Sequence, residues 1–158
     1  MTSYKDLLLE KAAVKIKRFC AYQERSHQEV RDKLCSLGVG RKDAESLLSQ
    51  LIEEGYLNEE RFAIQFAGGK FRIKQWGKRK IAQALKERKI SPYCIKKSLQ
   101  QIDEADYLKT LQKLAERKWE QLEGEQSPLA KKRKLQDYLL QKGFEYDLIR
   151  DELVRLKE

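Results

Sequence analysis

The sequence predicts an all-α protein, and three observations carry that reading. Apolar residues recur at spacings of three and four along most of the 158 residues, the period of one helix face. Prolines number only two and glycines eight, and no run alternates Val, Ile and Thr in the manner of a half-buried strand. The same apolar positions also return in register three times, which argues for repeated helical units over one large globule. A chain that is 37% charged and 41% hydrophobic suits thin helical layers with much exposed surface.

The elements follow from local signals. A first helix spans Tyr4 to Gln23, with Leu8, Ala12, Ile16, Phe19 and Cys20 near one face. Ser26-His27-Gln28-Glu29 is a capping box, in which Ser26 and Glu29 satisfy each other's orphan N–H groups. The helix it starts carries Val30, Leu34 and Leu37 and stops at Gly38, a natural left-handed C-cap residue. A third helix runs from Arg41 to Glu54, with Ala44, Leu48 and Leu51 inward, and Gly55 ends it. Asn58 caps the next helix, and Glu59 and Glu60 occupy its first turn, where the helix dipole favours negative charge. That helix extends to about Lys74 and breaks at Trp76-Gly77. Lys78 to Arg88 forms another, and Ser91-Pro92 opens the sixth. The last third repeats the plan, with a long helix from Asp103 or Glu104 to Leu122 and a loop at 124–126. A helix follows from Ser127-Pro128 to Gly143, then one from Glu145 to Leu156.

The register between thirds can be counted from Val30, Ile81 and Leu135. Four residues on stand Leu34, Leu85 and Leu139; nine on, Val39, Ile90 and Phe144; fourteen on, Ala44, Ile95 and Ile149. Eighteen on are Leu48, Leu99 and Leu153, and twenty-one on are Leu51, Ile102 and Leu156. Eight on are Gly38, Lys89 and Gly143, so Lys89 is expected to adopt the left-handed conformation at a cost of about 1 kcal/mol. The expected organisation is three tandem three-helix repeats, 1–57, 58–102 and 103–158, stacked into an elongated, curved array.

Net charge is +9, and its placement is uneven. Residues 1–57 hold 10 basic and 9 acidic side chains, residues 58–102 hold 12 and 3, and residues 103–158 hold 12 and 13. The whole excess lies in the middle repeat, which points to a polyanion or an acidic protein as partner. Cys20, Cys35 and Cys94 lack metal-site spacing and read as buried free thiols of a reducing cytoplasm. Met1 to Leu9 has no apolar core and is not expected to be a signal peptide.

Several function classes are unsupported. One histidine, His27, argues against a His-rich metal site or a Ser-His-Asp triad, and its place in a first helical turn reads as exposed and structural. Glu53-Glu54 and Glu59-Glu60 read as solvated helix-end charges, not catalytic pairs. Gly68-Gly69-Lys70 lacks the strand and the Ser or Thr of a phosphate loop. No enzyme activity, cofactor or metal is expected.

The middle repeat also carries the most specific motif. Leu57-Asn58-Glu59-Glu60-Arg61-Phe62-Ala63 resembles the L-[DN]-[DE]-x-R-[FY]-[AV] of the RecX family, regulators of the bacterial recombinase RecA. Trp76-Gly77 before Lys80-Ile81 and Leu85 is similar to the family's aromatic-Gly-x-x-[RK]-I-x-x-x-L, with Trp where the family usually has Tyr. Arg25-Ser26 before Glu29-Val30 and Lys33-Leu34 is similar to its first-repeat S-x-x-E-[LV]-x-x-K-L. The chain departs at Ala67-Gly68-Gly69, where many members are arginine-rich. Two glycines within a helix cost roughly 1 kcal/mol each and mark a bend or a close backbone approach.

The resemblance implies a protein that lies along the RecA–single-stranded-DNA filament and lowers strand exchange and ATP hydrolysis, in DNA repair and the SOS response. A monomer without membrane contact is expected. The alternatives are a stand-alone basic DNA-binding protein, or a helix-turn-helix transcription regulator built on Ser26 to Glu54. The acidic end Glu53-Glu54 disfavours the latter. Candidate contact residues are Arg61, Lys70, Arg72, Lys74, Trp76, Lys78, Arg79 and Lys80. Arg61 stands open between an ion pair and a partner contact. Trp76 either packs under the helix break or stacks on a base, with packing favoured. Lys131-Lys132-Arg133-Lys134 spreads around its helix and reads as a solvated face.

Overall fold

The computed structural model describes residues 3–157; Met1 and Thr2, which belong to the segment weighed as a signal peptide, lie outside them. Among the described residues there are nine α-helices and no strand. They are α1 (Tyr4–Tyr22), α2 (His27–Ser36), α3 (Arg41–Glu53), α4 (Glu59–Lys74), α5 (Lys78–Glu87), α6 (Pro92–Gln100), α7 (Glu104–Gln121), α8 (Pro128–Lys142) and α9 (Tyr146–Lys157). Packing follows the chain: α1 to α3, α4 to α6 and α7 to α9 each form a mutually packed set.

The helix starts are locally encoded. The Ser26 hydroxyl accepts from the Glu29 N–H at 3.1 Å, and the Glu29 carboxylate accepts from the Ser26 N–H at 3.4 Å. Asn58 accepts from the Arg61 N–H at 2.9 Å, and Ser91, Asp103 and Ser127 cap α6, α7 and α8 the same way. Ser3 and Asp6 form a further capping box on α1.

Two helix ends bear on the sequence reading. Lys89 does adopt the left-handed conformation, with φ 61°. α4 ends at Lys74 as expected, and the break spans Gln75, Trp76 and Gly77, with Gln75 left-handed at φ 57°. Gln75 donates its N–H to Phe71 O at 3.0 Å and closes the helix there. At Gly68-Gly69 α4 runs on unbroken, and the close approach is made by a side chain. The Arg72 guanidinium folds over Gly68, where a Cβ would lie 2.7 Å from it.

The apolar register is the core. Val30, Ile81, Leu135, Leu34, Leu85 and Leu139 are all fully buried. Ile95 and Leu99 are only partly buried, because α6 turns Cys94 and Ser98 inward, one position earlier, and Leu156 is partly buried as well. The core divides into two clusters. One runs from Ala12 to Leu57; the other runs from Phe62 to Leu153 and joins the second and third helix sets without a break.

Two expectations about single residues are corrected. Cys20 and Cys94 are buried free thiols, but Cys35 is exposed. It follows the inward Leu34 by one residue, which turns it about 100° away from the core. His27 is half-buried beside Glu59 and not exposed, and desolvation holds its pKa below the ordinary histidine value despite that carboxylate.

Candidate partner-binding surface

The second and third helix sets meet where two glycines touch. The Gly77 N–H donates to Lys142 O at 2.8 Å, and the Arg79 N–H donates to Gly143 O at 2.9 Å. The Lys78 N–H donates to the Tyr107 hydroxyl at 2.9 Å, and that hydroxyl donates in turn to Glu145. The first N–H groups of α5, which would otherwise be orphans, are thus satisfied from the third helix set. Burial, and then the Glu145 contact, push the Tyr107 phenol far up, so it remains a donor at any physiological pH. Its ring lies 5.7 Å from Phe71 and 5.3 Å from Phe144, tilted against both.

Around this joint the basic side chains rest on aromatic rings. Arg88 lies 4.6 Å from the Phe66 centroid, and Lys70 lies 5.5 Å from Phe66 and 5.0 Å from Trp76. Lys80 lies 4.7 Å from Trp76. Each such contact contributes about 0.5–1 kcal/mol at an exposed site. Their larger effect is to hold these cations without neutralising them. Trp76 is half-buried and packs against the core, as the packing alternative expects.

The candidate residues separate into two groups. Lys70, Arg72, Lys74, Arg79 and Lys80 form no ion pair among the described residues. Lys78 and Arg61 are engaged. Lys78 lies 4.6 Å over the Tyr107 ring and 3.8 Å from Glu104. Arg61 pairs with Glu24 at 2.5 Å and donates to Gly55 O at 3.1 Å, bracing the first helix set against the second. Lys142 is an addition that the sequence does not signal. Its ammonium donates to Lys74 O at 2.8 Å and stands close to Lys74 and Lys80. Burial and those two like charges push its pKa down. No motif marks Lys142, because its position depends on how the third set stacks on the second.

The Lys131 to Lys134 run is partly spent on internal contacts. Lys131 lies 3.9 Å over the Trp119 ring, and Lys134 pairs with Glu125.

Fold and surface together define a tandem three-helix-repeat protein with a set of unpaired basic side chains on its middle repeat. Residues 58–99 match the second three-helix domain of RecX, and residues 104–153 match the third. The chain belongs to the RecX family. It is 29% identical over 150 residues to the regulatory protein RecX of Bacillus cytotoxicus, covering 95% of this chain and 55% of that protein. It is 33% identical over 124 residues to the regulatory protein RecX of Clostridium perfringens, covering 78% of this chain and 58% of that one. The chain thus spans little more than half the length of these relatives. The crystal structure of RecX from Lactobacillus salivarius superposes with a TM-score of 0.85 at 23% identity, over 95% of this chain and 97% of that one. A second RecX crystal structure gives 0.82 at 20% identity, over 91% and 72%. No helix among the described residues is long and apolar enough to cross a membrane.

Proposed function

We propose that this protein binds RecA and its single-stranded-DNA filament in the cytoplasm and restrains recombinase, ATPase and strand-exchange activity during DNA repair and the SOS response. Family membership supports the partner. The observation that carries the reading is the set of unpaired cations on α4 and α5. A solvated helical surface ordinarily mixes both signs. Leaving Lys70, Arg72, Lys74, Arg79 and Lys80 unneutralised keeps a positive field that an acidic groove or a phosphate backbone satisfies. Lys70 and Lys80 are preplaced on Phe66 and Trp76, so less rotamer freedom is lost on binding.

The test is a RecA ATPase assay on single-stranded DNA with this protein titrated in. Inhibition at amounts well below those needed to coat the strand supports the reading. Inhibition that vanishes when excess free strand is added indicates simple competition for DNA and counts against it.

A further inference from the structure

In the repeat register, Gly77 and Lys78 of the second repeat correspond to Lys131 and Lys132 of the third. The second repeat receives the third at these positions, through the Gly77 N–H on Lys142 O and the Lys78 N–H on the Tyr107 hydroxyl. The third repeat cannot receive a neighbour in the same way. Its α8 begins one turn earlier, at Pro128, so the Lys131 N–H is already bonded to Ser127 O at 3.0 Å. What stands there is a pocket of about 490 Å³ between the C-terminal ends of α7 and α9 and the first turn of α8.

Trp119, Pro128, Leu129 and the buried Leu153 give the pocket apolar walls. Leu129 is 78% exposed, although Leu135 and Leu139 of the same helix are fully buried. A partner that covers Leu129 gains apolar burial that the fold leaves unused. The other lining side chains are Lys131, Lys132, Lys157 and one acid, Glu125. Glu125 is engaged by Lys134 and by the Ser127 N–H, whereas none of the three lysines forms an ion pair among the described residues. Residues 103–158 hold 12 basic and 13 acidic side chains, so this local positive excess does not reflect the composition of the repeat.

These features fit a peptide better than a nucleic acid. A phosphate backbone gains nothing from Pro128, Leu129 and Leu153. A base cannot stack freely on Trp119, because the Lys131 ammonium stands 3.9 Å from the ring centroid. An apolar centre rimmed by unpaired charge is the anatomy of a protein docking site, where one bulky anchor fills the pocket and the rim selects the partner by charge. We propose that this pocket docks a short acidic segment of a partner protein. One leucine or aromatic side chain of that segment seats against Trp119 and Leu129, and neighbouring carboxylates pair with Lys131, Lys132 and Lys157. The site uses none of the cations on α4 and α5, so its test is independent of the function proposed above.

The experiment selects random dodecapeptides displayed on phage against the immobilised full chain. The most enriched sequence is then synthesised with a fluorescent label and titrated by anisotropy. The unaltered chain is compared with Leu129→Gln, Lys132→Glu and Lys157→Glu, and melting is recorded for each. None of the three changes removes a buried side chain or an ion pair. Enriched peptides that combine a leucine or aromatic residue with several carboxylates support the proposal, provided that Leu129→Gln weakens binding about tenfold and each lysine reversal about threefold. Failure to enrich any sequence overturns it, as do enriched peptides that lack acids or bind all three variants normally. An oligothymidine that displaces the peptide, and that itself binds Leu129→Gln less tightly, overturns it in favour of a nucleic-acid site. A dimer in sedimentation equilibrium that dissociates on Leu129→Gln overturns it in favour of a second copy of the chain.

Discussion

Gly77 and Gly143 meet backbone to backbone: a Cβ at Gly77 would lie 2.3 Å from the Gly143 carbonyl carbon. A Cβ at Gly143 would lie 2.3 Å from Lys80 Cβ, and Gly143 also has φ 99°. Two repeats therefore share backbone hydrogen bonds that any side chain at either position would pry apart.

Gly77→Ala is expected to destabilise by about 1–3 kcal/mol through overpacking. Gly143→Ala should cost more, since the left-handed backbone adds about 1–2 kcal/mol. Gly69→Ala is the contrasting case. Gly69 sits inside α4, and a Cβ there would meet nothing within 4 Å, so alanine should stabilise by about 0.5–1 kcal/mol. Urea melts of the three variants check the order; a neutral Gly77→Ala would remove the close-contact explanation.

Tyr107→Phe keeps the ring against Phe71 and Phe144 and deletes only the hydroxyl. The Lys78 N–H and the half-buried Glu145 then lose their shared partner. The expected loss is about 1–3 kcal/mol. Hydrogen exchange should show faster exchange of the Lys78 amide, with α1 to α3 unaffected because their core is separate.

Arg61 and Glu24 join repeats whose apolar cores do not merge. Both side chains reach solvent, so the pair should contribute only about 0.2–1 kcal/mol. Arg61→Glu and Glu24→Arg alone should each lower the melting temperature slightly, and the double swap should recover most of that loss at low salt. Absence of recovery in this double-mutant cycle would mean that Arg61 acts elsewhere.

Reversing Arg72, Lys74 and Arg79 to Glu should abolish RecA inhibition with little change in melting, because all three side chains are exposed and unpaired. Reversing Lys131, Arg133 and Lys134 should affect inhibition less but stability more. That triple variant breaks the Lys134–Glu125 pair and the Lys131–Trp119 contact. If the second variant loses inhibition and the first retains it, the binding surface lies on the third repeat.

Much of the fold is legible in the residues because its signals are local. A cap bonds to an N–H three residues away, as Ser26 does to Glu29 and Asn58 to Arg61. The buried positions Val30, Ile81 and Leu135 follow from helical period alone, and the left-handed Lys89 from its register with Gly38 and Gly143. The concentration of positive charge in residues 58–102 is likewise a property of composition. Tertiary structure decided what these pieces meet. That Arg61 finds Glu24 37 residues away, and Lys142 finds the carbonyl of Lys74 across 68, depends on how one repeat stacks on the next. In sequence Gly77 and Gly143 read as a helix break and a helix cap, and only their contact shows that each also needs to lack a side chain. Local hydrogen bonding and period determine which helices form. The choice of which faces touch rests on shape and charge brought together from distant parts of the chain, and no short window of sequence contains it.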